Sequence, residues 1–199
     1  MKRVLAPLLL GLLLAGCGSP EREAAGDDLA ADLMPSPGMP DAGNAADPAA
    51  NPHAHSAALD RLGPIRIGAT LAALRAQGVA IDRSGEAMPG SDCAYASVAT
   101  MPDMLLMLDG ETVVRIDVRS ARYPTIGGLR VGHGEAEATA RLGPGATVQP
   151  HPYTGPQGHY LVLHEDGAPA GLIAETDGET VRSYRVGQWE QVQWVEGCA

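Results

Sequence analysis

The chain has 199 residues, with 14 basic and 24 acidic side chains and a formal net charge of −10. Lys2 is its one lysine, and the aromatic residues are 2 Trp and 5 Tyr with no Phe. Nucleic-acid binding is excluded, because phosphate neutralisation requires clusters of lysine and arginine. The same acidic balance excludes attachment to an anionic membrane by charge.

The first 17 residues have the features of an export signal. Lys2 and Arg3 form a positively charged start, and residues 4–13 form an apolar stretch. This stretch is too short to span a bilayer, which is typical of a cleaved signal rather than a membrane helix. A short buried helix is the alternative interpretation.

The end of this segment, Leu14-Ala15-Gly16-Cys17, resembles the lipobox of bacterial lipoproteins. The resemblance implies cleavage before Cys17 and acylation of that cysteine, and several acyl chains together anchor a protein firmly. Gly18 follows, where an aspartate commonly retains such proteins in the inner membrane. We therefore expect anchorage in the outer membrane, facing the periplasm. An ordinary secretory signal peptide is the alternative.

Residues 18–58 are rich in Ala, Pro, Gly and Asp and poor in large apolar side chains. Such a segment cannot bury enough surface to offset its chain entropy, so we predict a disordered tether. His53 and His55 at its end could share a metal ion, but two ligands without a third are a weak signal. We predict no metal site and no cofactor.

The remaining chain contains an internal duplication. Gly63–Gly68 resembles Gly127–Gly132, and an Ala-rich helical segment follows each, at Thr70–Gln77 and Glu135–Leu142. Thr70 is a suitable N-cap for the first helix, and a glycine follows each helix as a stop signal.

The second halves of the two copies also correspond. The sequence Asp-Gly-Glu-Thr-Val at 109–113 recurs unchanged at 177–181. Asp-Gly between apolar runs is a strong signal for a hairpin. We predict an α+β fold of two tandem units, residues 59–122 and 123–199, each with one short helix packed on three antiparallel strands.

The alternation of side chains predicts which residues face solvent. Arg115, Asp117 and Arg119 alternate with apolar residues, and Arg185 occupies a similar position in the second copy, so these charges should point outward. An outward arginine row could also recognise an acidic partner. Residues 189–195 predict a last strand.

Cys93 and Cys198 remain if Cys17 carries lipid. An even pair in an oxidising compartment predicts a disulfide, which here would tie the C-terminus to the first copy. A catalytic thiol served by a histidine is the alternative, but no local motif supports it.

The sequence contains no motif of a serine hydrolase, a nucleotide-binding loop or a zinc protease. Asp109 and Asp177 could be read as paired catalytic acids, but hairpin turns are where such residues most often occur. We therefore predict a protein that is not an enzyme.

The segment 149–160 is the most individual stretch of the sequence, because it concentrates His, Tyr, Pro and Gly. Tyrosine and histidine give rigid contacts at a low entropic cost. The candidate binding residues are His151, Tyr153, His159, Tyr160 and Trp189. The alternative is a rigid connection between helix and strand, with Tyr160 in the core.

From about residue 63 to the end, the chain resembles a family of uncharacterised proteobacterial envelope lipoproteins. The resemblance rests on His-Pro-Tyr at 151–153, Gly-His-Tyr-Leu at 158–161, Glu-Thr-Asp-Gly at 175–178 and Val-Glu-Gly-Cys at 195–198. It implies that the terminal cysteine belongs to the family pattern. More distantly, Gly-x-Thr-x-x-x-Leu at 68–74 is similar to the β-lactamase-inhibitor-protein-like fold, whose members bind proteins.

We therefore expect a lipid-anchored envelope lipoprotein that acts as a non-enzymatic protein-binding or structural module. The expected partners are the membrane, through the lipid, and an envelope protein. A lectin-like binder of cell-wall glycan, using Tyr153, Tyr160, Trp189 and Trp194 as stacking platforms, is the first alternative. A hydrolase with an unrecognised site is the second.

Overall fold

A computed structural model describes residues 55–84 and 90–198. The predicted export signal, Cys17, His53 and the tether up to residue 54 lie outside the described residues. Within the described ranges, no helix combines the length and the apolar character needed to cross a membrane.

Antiparallel strands dominate the fold. A small sheet contains β1 (Ala57–Ala58), β2 (Arg61–Leu62) and β3 (Ile65–Arg66). The strands of the large sheet are β4 (Ile81–Ser84), β5 (Cys93–Val98), β6 (Met101–Asp109), β7 (Thr112–Val118), β8 (Ala146–His151), β9 (Gly155–Leu163), β10 (Ala170–Thr176) and β11 (Val181–Gln188). Their order across this eight-stranded sheet is β4-β5-β6-β7-β11-β10-β9-β8.

Three short helices accompany the sheets. In α1 (Leu71–Ala76) the Thr70 side chain accepts a hydrogen bond from the amide of Ala73 at 3.2 Å, which is the predicted N-cap. Helix α2 (Glu135–Leu142) has the predicted bounds, and Gly143 follows it with a φ of +86°. Helix α3 (Trp189–Val192) follows β11 directly.

The main core lies between the large sheet and the elements α1, α2 and β1–β3. Leu71 and Leu74 of α1 and Ala138 of α2 belong to the same buried cluster as Leu106 and Ile116 of the sheet. We call this side of the sheet the helical face. Burial of these apolar side chains is the main favourable contribution to folding.

The two halves of the chain form one continuous sheet. Its middle is the pair of β7 and β11, in which Val118 lies opposite Tyr184 and Ile116 opposite Val186. All four side chains are buried. Since the strands of both halves share this ladder, neither half presents its inner strand as an open edge.

Each half places one helix before four consecutive strands. In each half, the residue just before the helix forms an isolated antiparallel β-bridge with a residue that follows an Asp-Gly turn. Thr70 bridges Thr112 in the first half, and Gly134 bridges Thr180 in the second. These correspondences follow the order of the matched sequence segments.

Three features of the fold differ from the sequence predictions. Each half has four strands in the large sheet rather than three, because β4 and β8 add an edge strand on each side. The segment 149–160 is mostly the β8–β9 hairpin rather than a loop. Residues 55–58 belong to the fold, since Ala57 is buried and its amide donates to the carbonyl of Pro124 at 2.7 Å.

The predicted last strand at 189–195 is also wrong. The chain leaves the sheet after Gln188 and forms α3, in which Val192 is buried against the side of the sheet opposite the helical face. Trp189 and Val192 are three residues apart, so the same apolar residues also fit one side of a helical turn. The predicted strand pattern did not distinguish these two possibilities.

Candidate binding site beneath the C-terminal cover

The opposite face of the large sheet carries polar and charged side chains, which α3 and residues 193–198 partly cover. We call these covering residues the C-terminal cover. Alternation along the strands places Tyr95, Arg115, Asp117, Glu175 and Arg185 on this face. Strand geometry fixes this placement, because successive side chains point to opposite faces.

Arg115 is the centre of a hydrogen-bond network, and only 3% of its surface is exposed. Its Nη1 donates to the carbonyl oxygens of Gln191 and Trp194, each at 2.8 Å. Its Nε donates to Oδ2 of Asp117 at 3.0 Å, and Nη2 donates to the Tyr95 hydroxyl at 3.1 Å. The guanidinium thus joins two strands to the C-terminal cover.

Arg185 forms a second anchor on the neighbouring strand and is 5% exposed. Its Nε donates to the carbonyl of Val192 at 2.5 Å, and Nη1 donates to Oε1 of Glu175. The guanidinium carbon lies 5.2 Å from the centre of the Tyr160 ring. Its Nη2 is buried without a hydrogen-bond partner among the described residues, as is the Tyr160 hydroxyl.

Covalent and side-chain contacts also hold the C-terminal cover. Cys93 and Cys198 form a disulfide, which confirms the predicted pairing. The Tyr153 hydroxyl, on the β8–β9 turn, donates to Oε1 of Glu196 at 2.6 Å. The cover is therefore fixed at its end by a covalent bond and along its length by the two arginines.

The cover leaves an open cavity of about 310 Å³ beside it. Tyr95, Arg119, Ser183 and Glu196 contribute to its lining, together with the Arg115 and Arg185 networks. Asp117 also lines this cavity. Burial raises the pKa of its carboxyl group, although the adjacent Arg115 guanidinium opposes the change. Burial likewise raises the pKa of Tyr95. The cavity therefore combines buried charge with an opening to solvent.

The predicted outward orientation of Arg115 and Arg185 is wrong. Both side chains lie on the face opposite the main core, as the alternation indicates, but α3 covers that face. Their guanidinium groups find carbonyl and carboxylate acceptors there, which is the condition under which a charged side chain tolerates burial. Arg119, at the end of the same row, is exposed as predicted.

The structure brings three of the five candidate binding residues together. The His151 and Tyr160 rings meet edge to face with centroids 4.6 Å apart, and Nδ1 of His151 accepts from the amide of Tyr153 at 3.1 Å. Tyr153 is 66% exposed, whereas Tyr160 is buried. His151 therefore shapes the turn, and Tyr153 is the residue of this group that presents a surface to solvent.

His159 lies elsewhere, on the helical face. Its Nδ1 is 2.9 Å from Oε2 of Glu135, at the start of α2, and the Thr176 hydroxyl donates to the same carboxylate. Burial alone would raise the pKa of Glu135, but the bonds from Thr176 and His159 outweigh it and lower that pKa. These residues fasten α2 to the sheet.

Trp189 is also separate from the Tyr153 turn. Its ring stacks on His164 with centroids 3.9 Å apart and planes inclined by 9°. A Cβ at Gly171 would lie 2.5 Å from the ring, so the glycine lets the indole lie directly on the sheet. Since the ring stacks on His164 and packs against a buried apolar cluster, Trp189 has a packing role in this structure.

Sequence reasoning missed Tyr95, Glu175 and Gln191 as members of the polar network. No local signal identified them, because charged residues that alternate with apolar ones are equally typical of a strand with one face in water. In the part of the chain that the structure describes, no group of three or more His, Cys, Asp or Glu residues is placed to hold a metal ion.

A separate cavity of about 240 Å³ lies on the other side of the molecule. Leu59, Ile126, Leu142 and Leu163 line it together with Arg141. It is mainly apolar and contains none of the unpaired buried donors found near the C-terminal cover.

The chain has a distant structural neighbour among proteins of known structure. No protein-family model matches the chain, and no curated protein matches it. A crystal structure of the uncharacterized protein YfeY from Escherichia coli is similar to it, with 14% sequence identity and a TM-score of 0.42. The similarity covers 63% of this chain and 95% of that chain.

Proposed function

We propose that this protein is a lipid-anchored envelope lipoprotein of the outer membrane, facing the periplasm, whose folded part is a non-enzymatic binding module. The observation that carries the proposal is the disulfide between Cys93 and Cys198. Structural disulfides persist in oxidising compartments, which include the bacterial periplasm. It supports export, and the pattern Leu14–Cys17 supplies the matching signal.

Replacement of individual cysteines tests the lipid anchor. The Cys17→Ser variant should move from the membrane fraction to the soluble periplasmic fraction. The matched control is the double variant Cys93→Ser/Cys198→Ser, which removes the two other cysteines and should stay with the membrane. If the Cys17→Ser variant fractionates like the wild type, the lipid anchor is rejected.

The binding role is supported by the shape and chemistry of the opposite face. The C-terminal cover, the open cavity and the exposed Tyr153 lie on the same side of the molecule. His151, His159 and His164 each engage a different partner in the described structure, so their geometry favours packing roles over a shared reaction centre.

Site-specific crosslinking tests the binding role. A photoreactive residue in place of Tyr153 should capture a defined envelope protein in intact cells. The control position is Arg75, which is exposed on α1 at the helical face. Capture of the same proteins from both positions, or of none from Tyr153, contradicts the proposal.

We also infer that the two halves arose by duplication and that the chain is a member of the envelope lipoprotein family it resembles. The inference is supported by the repeated Asp-Gly-Glu-Thr-Val sequence and by the equivalent bridges Thr70–Thr112 and Gly134–Thr180. We also propose a distant relationship to the β-lactamase-inhibitor-protein-like fold, on the Gly-x-Thr-x-x-x-Leu sequence at 68–74. An alignment of homologues in which both halves share one pattern would support the duplication.

Binding of cell-wall glycan is a second candidate function, favoured by two exposed aromatic residues. Tyr153 is 66% exposed and Trp194 is 38% exposed, and Tyr153 contacts the segment that follows Trp194. Such rings can stack on sugars. In a Trp189→Phe variant, Trp194 is the remaining tryptophan, and its fluorescence should change on titration with muropeptides. A flat titration rejects this candidate.

A further inference from the structure

Two cavities on the opposite face lie side by side and share part of their walls. The polar cavity beside the C-terminal cover shares Leu105, Asp117 and Arg119 with a neighbouring cavity of about 280 Å³. The neighbouring cavity is lined mainly by apolar residues, including Met101 and Pro102. We call the two together the Arg119 groove. Each part is near the lower end of the volume range of small-molecule sites.

Three arginines and three acids line the polar end of the groove, so their formal charges balance, but two of the arginines have donors without partners among the described residues. Asp117 is paired with Arg115, and Glu175 is paired with Arg185. Nη2 of Arg185 nevertheless has no partner, and the Arg119 side chain makes no hydrogen bond or ion pair with the described residues. A buried donor without an acceptor is costly, so an acceptor supplied by a ligand would be favourable there.

The other end offers an apolar wall with an unusual backbone. Pro102 and Asp103 bulge out of β6, since Ser97 pairs with Leu105 while Val98 pairs with Met101. Asp103 has a φ of +64°, which is uncommon for a residue other than glycine. The carbonyl of Asp103 accepts from the amide of Arg119 at 3.0 Å, so the bulge and the arginine are held together.

We propose that the Arg119 groove binds a small ligand that carries a carboxylate on an apolar group. The carboxylate meets Arg119 and the free side of Arg185, because guanidinium groups bind carboxylates with paired hydrogen bonds. The apolar group lies along Met101, Pro102 and Leu105. The inference rests on the proposed binding function and specifies its ligand.

A fatty acid and the C-terminus of a short apolar peptide share this chemistry. The test therefore titrates octanoate and N-acetyl-alanyl-leucine separately, by calorimetry. The protein is the full chain with Cys17→Ser, so that no detergent competes for the probes. Octanamide and N-acetyl-alanyl-leucine amide are the matched neutral probes without the carboxylate.

We expect at least one of the two carboxylates to bind and its matched probe to fail. Arg119→Gln should weaken binding about tenfold or more, which corresponds to about 1.4 kcal/mol. Arg75→Gln is the matched control, since it removes the same charge from an exposed site on α1 and should leave the affinity unchanged. Leu105→Ser should weaken the binding of octanoate or of the peptide, because it removes part of the apolar surface that contacts the apolar group of the ligand.

Three results would overturn the proposal: no heat with either carboxylate, equal binding of the probe without the carboxylate, or unchanged affinity in Arg119→Gln. The outcome is separable from that of the general binding function. Capture of an envelope protein at Tyr153, together with no carboxylate binding, would leave the binding module standing and reject this ligand.

Discussion

Arg115 Nη1 lies 2.8 Å from the carbonyl oxygen of Trp194, and 79 residues of sequence separate the two. This contact fixes the C-terminal cover to the central strand β7. Arg185 repeats the arrangement from β11 through the carbonyl of Val192. The two arginines thus use the backbone of the last residues as their acceptors, and the position of that backbone defines one wall of the groove.

Removing the Arg115 guanidinium should destabilise the fold strongly. In Arg115→Met the carboxylate of Asp117 and the carbonyls of Gln191 and Trp194 lose a buried donor. Breaking such a network by removing one partner costs about 3–5 kcal/mol. Urea unfolding of the purified protein measures the loss.

The control for this experiment is Arg119→Met on the same face, two residues beyond Asp117. Because Arg119 is exposed, its replacement should change the free energy of unfolding by about 0.5 kcal/mol or less. If Arg115→Met is as mild as the control, the guanidinium does not hold the C-terminal cover in the way we describe.

The disulfide should make a separate contribution to stability. It closes a loop with a sequence separation of 105 residues, and loops of this size confer about 2–5 kcal/mol, mainly by constraining the unfolded chain. Cys93→Ala/Cys198→Ala should lower the unfolding free energy by this amount. The native fold should persist, because the Arg115 and Arg185 contacts to the cover do not depend on the cysteines.

Treatment with a reductant shows whether the lost stability comes from the disulfide or from other effects of the two substitutions. Dithiothreitol should destabilise the wild-type protein and leave the double alanine variant unchanged. Equal sensitivity of both proteins would show that the bridge between Cys93 and Cys198 is not the source of the stability.

Much of the fold was accessible from local sequence signals. The α2 helix, the Thr70 cap and the Asp-Gly hairpins depend on neighbouring residues, and the pairing of two cysteines depends on their number and compartment. The burial of Arg115 and Arg185 was not accessible in this way. An alternating strand looks the same whether its charged side faces water or a covering segment from the end of the chain.

The β8–β9 hairpin was missed because its composition is typical of a loop. Pro150 and the glycines at 155 and 158 are typical of loops, yet β8 is an edge strand. An edge strand accepts proline where no ladder hydrogen bond is required. The candidate residues His159 and Tyr160 were predicted as one group, but they are adjacent on a strand and therefore point to opposite faces of the sheet.

The two Asp-Gly turns give a prediction with an internal control. Gly110 has a φ of +57° and open space where a Cβ would lie, whereas Gly178 has a φ of +91° and its Cβ would lie 2.1 Å from the carbonyl oxygen of Gln157. Gly110→Ala should cost about 1 kcal/mol through backbone strain alone. Gly178→Ala should cost clearly more, because it adds a clash with the backbone of β9.

Thermal or urea unfolding of the two glycine variants checks this difference. The paired design removes the effect of alanine itself, since both glycines follow an aspartate and precede Glu-Thr-Val. Equal losses in the two variants would mean that the close approach of Gln157 does not matter in solution.

The contact between Glu135, His159 and Thr176 should make stability depend on pH. The pKa of Glu135 is lowered in the folded protein, so its carboxylate stabilises the fold at any pH above the ordinary carboxyl value. This contribution is lost as the pH falls from that value through the lowered folded pKa. Glu135→Gln should therefore destabilise the protein at neutral pH, by about 2 kcal/mol for hydrogen bonds to a charged group.

Unfolding measured from neutral to acidic pH should show the difference between wild type and Glu135→Gln shrinking as the carboxylate is protonated. Thr176→Val removes one donor to that carboxylate and should weaken the same pH dependence. Glu137→Gln, on the exposed side of α2, is the matched control and should change stability little at neutral pH. A constant difference at every pH would show that Glu135 acts through its shape rather than its charge, and would contradict the role assigned to the bonds from Thr176 and His159.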